Sequence, residues 1–570
     1  MLAQLPTELI FSIISFLDLP CIREFQLVCK SWKHFVDQNE STIYHILSVG
    51  FIASTAINFS QLPSLFSPKS LDGVTSWKSF CQRRSHISKS WTGKASSRYV
   101  TYNGSGSAVH RIKVDEKAGF IITSFRHGGL IVTDLTVDKV LWSLPQSYVK
   151  SYAHLEYGEG FLIFDRLGGS KEVWRLVNDF PLESRQTKTL PDQVSAWENA
   201  SEEHSDTYPK GHFKPWAILT MPQPTRAFRF VYPTLLVGAW DHAFLYDILS
   251  LNLIQTITPI QEPEDPAAAF ALVVANAPSF DAPKPRLRRL SQINYVEVDT
   301  RHVFICGVNA LRIFSRETGR CIFDVPSTRR EFGSRKFTVL AQSTPRQDAA
   351  LMNQRTDVEE TDFSSTVSSP RVVDEFIAVH VSSCGRHLVA MLASSRVVVI
   401  QNFEHGLSSL YERMIQIQLG SSRSRSKYLA IYEDHVAVAT NNGLFLFSLS
   451  EALDAKPNSN SSAPLLSNLI ISRAPLFGYS VYMSNTTCLQ LSDTGLYLNW
   501  DPEYLTYAQE SLVERERLQD MFIRSLNNQR MRQLRMPTGD LILVLDDEEF
   551  LTETSTVCGI DFTPSMVGLV

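Results

Sequence analysis

The feature that most narrows the fold is a short unit repeated along the middle of the chain, in which two alternating apolar segments are joined by a tight turn. Seven such pairs can be laid out. Their first members are Gly119–Ser124, Gly160–Asp165, Thr234–Trp240, His302–Gly307, Arg386–Leu392, His435–Thr440 and Cys488–Ser492. Their second members are Leu130–Leu135, Glu172–Val177, Ala243–Ile248, Ala310–Ser315, Arg396–Asn402, Gly443–Ser448 and Gly495–Trp500. Gly128-Gly129, Gly168-Gly169 and Asn442-Gly443 supply the positive φ that two-stranded turns need. Most units carry a further strand upstream, such as Val109–Val114 or Phe376–Val381, and several carry one downstream, such as Val140–Leu144 or Cys321–Val325. Four antiparallel strands repeated about seven times is the arithmetic of a β-propeller, with a stacked pair of β-sandwiches as the alternative.

Equivalent positions in successive units, from Ile131 to Leu496, lie 42 to 86 residues apart. The shortest spacing is one blade, and the excess falls in Leu190–Pro215, Pro259–Gln292, Pro326–Arg371 and Ala455–Pro475, which read as loop insertions. With 570 residues, 44% of them hydrophobic and 20% charged, the chain can bury a large core. A net charge of −5 excludes the global basic field of a nucleic-acid binder. The basic clusters Arg286–Arg289, Arg329-Arg330 and Arg423–Lys427 read as solvated loops. The longest apolar run, Ala267–Ala277, is too short to cross a bilayer. Eight cysteines without a Cys-x-x-Cys pair, and no secretory leader, fit a reducing cytoplasm or nucleus.

The first fifty residues follow a different period. Leu9, Ile10, Ile13, Ile14 and Leu17 form one helical stripe, and Ile22, Phe25, Val28, Cys29 and Trp32 form a second. Two or three short helices of this length bury little apolar surface by themselves, so a partner is expected to cover part of the stripe. The order Leu5-Pro6-x-Glu8-Leu9, then Val28-Cys29-Lys30-x-Trp32, resembles an F-box over roughly residues 3–48. The resemblance implies docking on a Skp-type adaptor, and through it a cullin and a RING protein. The adaptor-facing positions it implies are Leu5, Pro6, Ile10, Ile13, Ile14, Leu17, Leu19, Val28, Cys29 and Trp32. Pro20-Cys21 departs from the polar pair that usually opens the family's second helix, which is expected to start one residue late.

Residues 51–93 read as a Ser- and Pro-rich linker followed by a helix on which Trp77, Phe80, Arg84, Ile87 and Trp91 share a face. This resembles the connector of F-box proteins that carry WD repeats, and the propeller, expected over 94–502, resembles a degenerate WD-repeat ring. Residues 503–570 read as a charged helix, Glu503–Arg535, and a tail packing on the propeller, with Asp546–Glu549 a solvated turn. Ring closure is expected through Arg98–Tyr102 paired to Gly495–Trp500. The fold class is therefore α+β multidomain, a small all-α module before a mainly β propeller.

Catalytic signatures are missing: there is no phosphate-cradling glycine loop, no Gly-x-Ser-x-Gly elbow and no His-Glu-x-x-His. No catalytic residue, metal ligand or cofactor is expected. The turns between the second and third strands carry Arg126, His127, Arg166, His242 and Arg396, which tilt one face of the ring positive and suit an acidic or phosphorylated protein target. The resulting expectation is a non-catalytic substrate receptor of an SCF-type ubiquitin ligase. A non-degradative scaffold and a propeller enzyme are the alternatives.

Overall fold

In the computed structural model the repeated strand pairs become seven four-stranded antiparallel blades. The structure describes residues 5–52, 56–180, 188–262, 289–327, 331–333, 335–339, 354–356, 358–361, 374–405, 413–420, 424–454, 469–474, 477, 483, 485–501, 532–535, 541–544 and 555–564. Blade 1 consists of Val109–Asp115, Phe120–Phe125, Leu130–Asp134 and Val140–Leu144, in order from the axis outward. Blades 2, 3 and 4 follow with inner strands Leu155–Gly158, Thr225–Val231 and Ile293–Val298. Blades 5 and 6 begin at Phe376–Val381 and Ser426–Tyr432. The second strands of blades 1, 3 and 4 are buried along their whole length because a sheet covers each of their faces.

Blade 7 departs from the expected pairing. Its inner strand is Leu489–Leu491 and its second is Gly495–Trp500, so these two stand one place closer to the axis than the pairs in other blades. The third strand is Thr556–Asp561, and Arg98–Tyr102 is the outermost. Arg98–Tyr102 thus closes the ring, but onto Thr556–Asp561 rather than onto Gly495–Trp500 directly. Gly559 makes the inserted strand fit: a Cβ there would stand 2.9 Å from the Leu496 carbonyl oxygen. Leu541–Val544 pairs with Arg532–Arg535 instead, as a two-stranded ribbon. The expected helix Glu503–Arg535 is therefore a strand over its last four residues, and its remainder, like Asp546–Glu549, lies outside the described residues.

Three other segments expected as loops carry structure, among them Ala455–Pro475, which contains the strand Ile471–Ala474. Leu190–Pro215 contains the helix Pro191–Glu203 and the start of the outer strand of blade 2, Phe213–Leu219. Pro326–Arg371 contributes Arg335–Val339, which adds in parallel to the outer strand of blade 5, Met414–Gln418, and Gln354–Thr356, which adds to the outer strand of blade 6, Ile471–Ala474. These additions cover sheet edges that would otherwise be open.

The N-terminal helices Thr7–Ile14, Leu19–Val28, Lys30–Gln38 and Glu40–Ile52 form a separate module around Ile10, Ile14, Ile22, Val36 and Ile43. The second helix starts at Leu19 because the Asp18 carboxylate caps it, accepting from the Cys21 amide at 2.9 Å, with Pro20 in the first turn. The described residues of the linker carry structure as well: Leu62, Phe66 and Leu71 pack with Tyr44, Trp77 and Phe80.

The connector helix Trp77–Trp91 joins the two cores, being about 22 Å long at 1.5 Å per residue. Its first turn, with Trp77 and Phe80, belongs to the core of the helical module, and its last turn, with Ile87 and Trp91, belongs to that of blades 6 and 7. Trp91 stacks on Phe562 at 3.9 Å and on His435 at 4.4 Å. Arg84 pairs with Asp493 at 2.5 Å, and the Ser64 carbonyl accepts from Lys117 at 2.8 Å. His435, Asp493 and Lys117 all stand at turns between inner and second strands. The helical module therefore hangs from that face of the ring, and the turns between second and third strands open on the opposite face.

Candidate functional site

Two surfaces are candidates, one on each side of the connector. On the helical module Phe16, Leu27 and Val28 are 87%, 72% and 69% exposed, and Leu9 and Ile13 are about half exposed. Side chains of this kind gain roughly 1.5–3 kcal/mol each when fully buried, so a surface of five is a strong incentive to associate. The positions anticipated from the sequence divide by orientation. Pro6, Ile13, Val28 and Cys29 are exposed; Leu5, Leu17, Leu19 and Trp32 are half-buried. Ile10 and Ile14 point into the module's own core, so they shape the surface from behind instead of forming it. Trp32 packs on Phe25 with ring centroids 4.4 Å apart, which leaves only part of the indole free. Leu9, Phe16 and Leu27 were outside the anticipated set. The signal for Leu9 was its place inside the quoted motif and for Leu27 its position next to Val28; for Phe16 it was an apolar residue off the buried stripe.

Residues 2–44 match the family model described as the F-box domain. The helical module is an F-box domain.

Behind this F-box, the propeller has WD40-like neighbours among solved structures. It is similar to the β-propeller domain of Myceliophteria thermophila Cps50 (Swd1), at 9% identity over 71% of this chain and 96% of that one, with a TM-score of 0.37. It is similar also to the WD40 repeats of RRP9, at 9% identity over 81% of this chain and 97% of that one, with a TM-score of 0.39. The strand topology, rather than these likenesses, establishes the ring. No curated protein matches the chain. F-box plus propeller is the usual architecture of a non-catalytic adaptor or receptor. Among the described residues no His, Cys, Asp or Glu cluster could hold a metal ion, and no helix is long and apolar enough to cross a membrane.

The second candidate surface is the ring face opposite the F-box, where the structure does not bring Arg126, Arg166, His242 and Arg396 together as free cations. They stand on blades 1, 2, 3 and 5. Arg166 is held by Glu172 at 3.0 Å and by Asp192. Arg396 is pinned to Asp374 at 2.6 Å and lies over the Phe332 ring. His242 lies flat against Phe244, with ring centroids 5.7 Å apart. His127, on the same turn as Arg126, flanks Gly128, whose φ of +90° lets the loop fold back under the Val149 carbonyl. Arg126 alone keeps its charge unneutralised by a carboxylate, among the described residues.

Between the two faces, the inner strands pass charge around the axis. Lys113 donates to Glu156 at 2.9 Å, Arg229 bridges Glu156 at 3.2 Å and Glu297 at 3.0 Å, and Glu297 accepts from His380 at 2.8 Å. The far nitrogen of His380 reaches the Leu429 carbonyl at 3.1 Å. This belt ties the inner strands of blades 1 to 6. Burial alone would raise the Glu156 carboxyl, but Lys113, Arg229 and His154 outweigh it and hold Glu156 below the usual carboxylate range.

Proposed function

We propose that the chain is a substrate-recognition subunit of an SCF-type cullin–RING ubiquitin ligase. The observation that carries this reading is the uncovered apolar surface of the F-box, held at the far end of a connector helix anchored in both cores. A Skp-type adaptor covers that surface through Leu9, Ile13, Phe16, Leu27, Val28 and Cys29, and Leu5, Pro6, Leu17, Leu19 and Trp32 frame it; Ile10 and Ile14 support it from beneath. The adaptor in turn carries cullin and RING protein. The target protein docks on the opposite ring face, away from the adaptor, as a receptor requires. Catalysis here is positioning: the chain raises the effective concentration of a target lysine at a charged conjugating enzyme without contributing a reacting group.

The test is a reconstitution in two steps. The full chain should co-purify with adaptor, cullin and RING protein, and an F-box-deleted chain should retain captured targets that the assembled full chain ubiquitinates. Adaptor bound with cullin excluded would assign the chain to the non-degradative scaffold class; no adaptor bound at all would end the reading.

A further inference from the structure

We propose that the ring carries a second docking site, for an acidic segment of a partner protein, built by Arg175 and Lys214 on the wall between blades 2 and 3. It goes beyond the receptor reading and does not rest on it, since that reading puts the target on the ring face opposite the F-box. The third strand of blade 2, Lys171–Leu176, and its outer strand, Phe213–Leu219, set Arg175 directly across from Lys214. Arg175 also pairs with Phe161, which follows the turn between inner and second strands, so the site lies toward the face from which the F-box hangs. Cross-strand partners project to the same side of a sheet with Cβ atoms roughly 5 Å apart, and like charges so placed repel. Neither side chain meets a carboxylate or donates a hydrogen bond among the described residues, and Arg175 Nε is buried without an acceptor. Arg111, Arg126 and Arg316 also lack a carboxylate, but each donates to a backbone carbonyl, at 2.6, 3.4 and 2.7 Å.

Aromatic rings hold the two cations in place. The Arg175 guanidinium lies over the Phe161 ring at 4.7 Å and over Trp216 at 5.2 Å, and Lys214 Nζ lies over Trp197 at 4.9 Å and over Phe180 at 5.0 Å. Such contacts attract a cation without neutralising it. Two half-buried positive groups fixed side by side, their repulsion uncompensated, fit one oxyanion, carboxylate or phosphoryl, that accepts from both. Beside them Tyr232 stacks on Phe161 with centroids 6.1 Å apart and stays 42% exposed, and Val231 next to it is 40% exposed. An apolar residue adjoining the acidic one would rest on that pair. Cations and rings together also serve single-stranded nucleic acid, but there bases stack on free ring faces. Phe161 and Trp216 are 0% and 3% exposed, so no base can stack on them, and a protein segment is the occupant that fits.

The experiment titrates three fluorescein-labelled probes into the full chain at matched ionic strength, read by anisotropy: a peptide of alternating Glu and Leu, its counterpart with phosphoserine in place of Glu, and an oligouridylate of similar charge. Wild type should bind at least one peptide more tightly than the oligouridylate, and the better peptide identifies carboxylate or phosphoryl as the group recognised. Arg175→Gln/Lys214→Gln should weaken that binding about tenfold or more, and Arg175→Lys, which keeps the charge, should retain most of it. Lys214→Gln alone leaves Arg175 packed on its rings and relieves the repulsion, so it should lose affinity severalfold while melting no lower than wild type, which keeps the test decisive even where the double variant is destabilised. Equal peptide binding by wild type and Lys214→Gln, no binding of either peptide, or tightest binding of the oligouridylate would overturn the site.

Discussion

The Tyr497 hydroxyl in blade 7 donates to the Glu116 carboxylate in blade 1 at 2.9 Å, across the seam where the ring closes. Ser492 and Thr494 donate to the same carboxylate at 2.6 and 2.7 Å, and the Thr494 amide at 3.2 Å. One side chain thus satisfies four buried donors from the neighbouring blade. Glu116→Ala would strand the Thr494 and Tyr497 donors, Ser492 keeping the Gly495 carbonyl at 3.1 Å, and a cost of about 2–4 kcal/mol is expected; Tyr497→Phe removes one donor and should cost about 1 kcal/mol. Urea unfolding followed by tryptophan fluorescence measures both, and equal small losses would show that the seam is held elsewhere.

Cys558 sits in the strand that the seam encloses, and burial pushes its thiol up to about 12. Cys81 in the connector is pushed up to about 12 and Cys488 to about 11 for the same reason. Burial of Cys384 is outweighed by its bonds to Ser382 and Arg386, which lower its thiol, and it is exposed. Brief alkylation at neutral pH should therefore modify Cys384 and spare Cys81, Cys488 and Cys558 until denaturant is added. Mass spectrometry of the labelled chain checks it; early labelling of Cys558 would mean that Thr556–Asp561 is not in the blade.

His435 lies against Trp91, where burial lowers its ring from the ordinary 6.5 to about 4. A folded value below the unfolded one means that the unfolded chain takes up the proton first. The stabilisation is complete above about 6.5 and is lost as pH falls from there toward about 4. Between pH 7 and 5 the protein should lose about 1–2 kcal/mol through this group, and His435→Phe, which keeps the ring contact, should flatten the slope by that amount. Urea midpoints across this range test it, and an unchanged slope in His435→Phe would reject the assignment.

Most of the ring was legible in the sequence because the alternation of apolar residues is local: Phe120–Phe125 and Leu130–Asp134 announce themselves, as do their glycine turns. Thr556–Asp561 was not legible as a blade strand. Its partners, Leu496 and Tyr99, are distant along the chain, and Gly559 weakens its pattern at the very point where close packing demands it. The helices of the F-box and connector followed from their stripes, whereas the orientation of each stripe did not. Periodicity places Ile10 and Ile13 on one broad face, and only the packed module turns the first inward and the second out. Charge at the ring face was misjudged for a related reason. Asp192 and Asp374, which neutralise Arg166 and Arg396, stand 26 and 22 residues away in the chain, the first in a segment that reads as loop.

The central claim is that the exposed apolar surface of the F-box, and not the propeller, holds the ligase adaptor. Calorimetric titration of a purified Skp-type adaptor into the full chain and into Phe16→Asp/Val28→Asp measures it directly. The account predicts tight binding by wild type and at least a hundredfold loss in the double variant, about 2.7 kcal/mol or more, with the propeller melting unchanged. Equal affinity in the two proteins, with both folded, would contradict it.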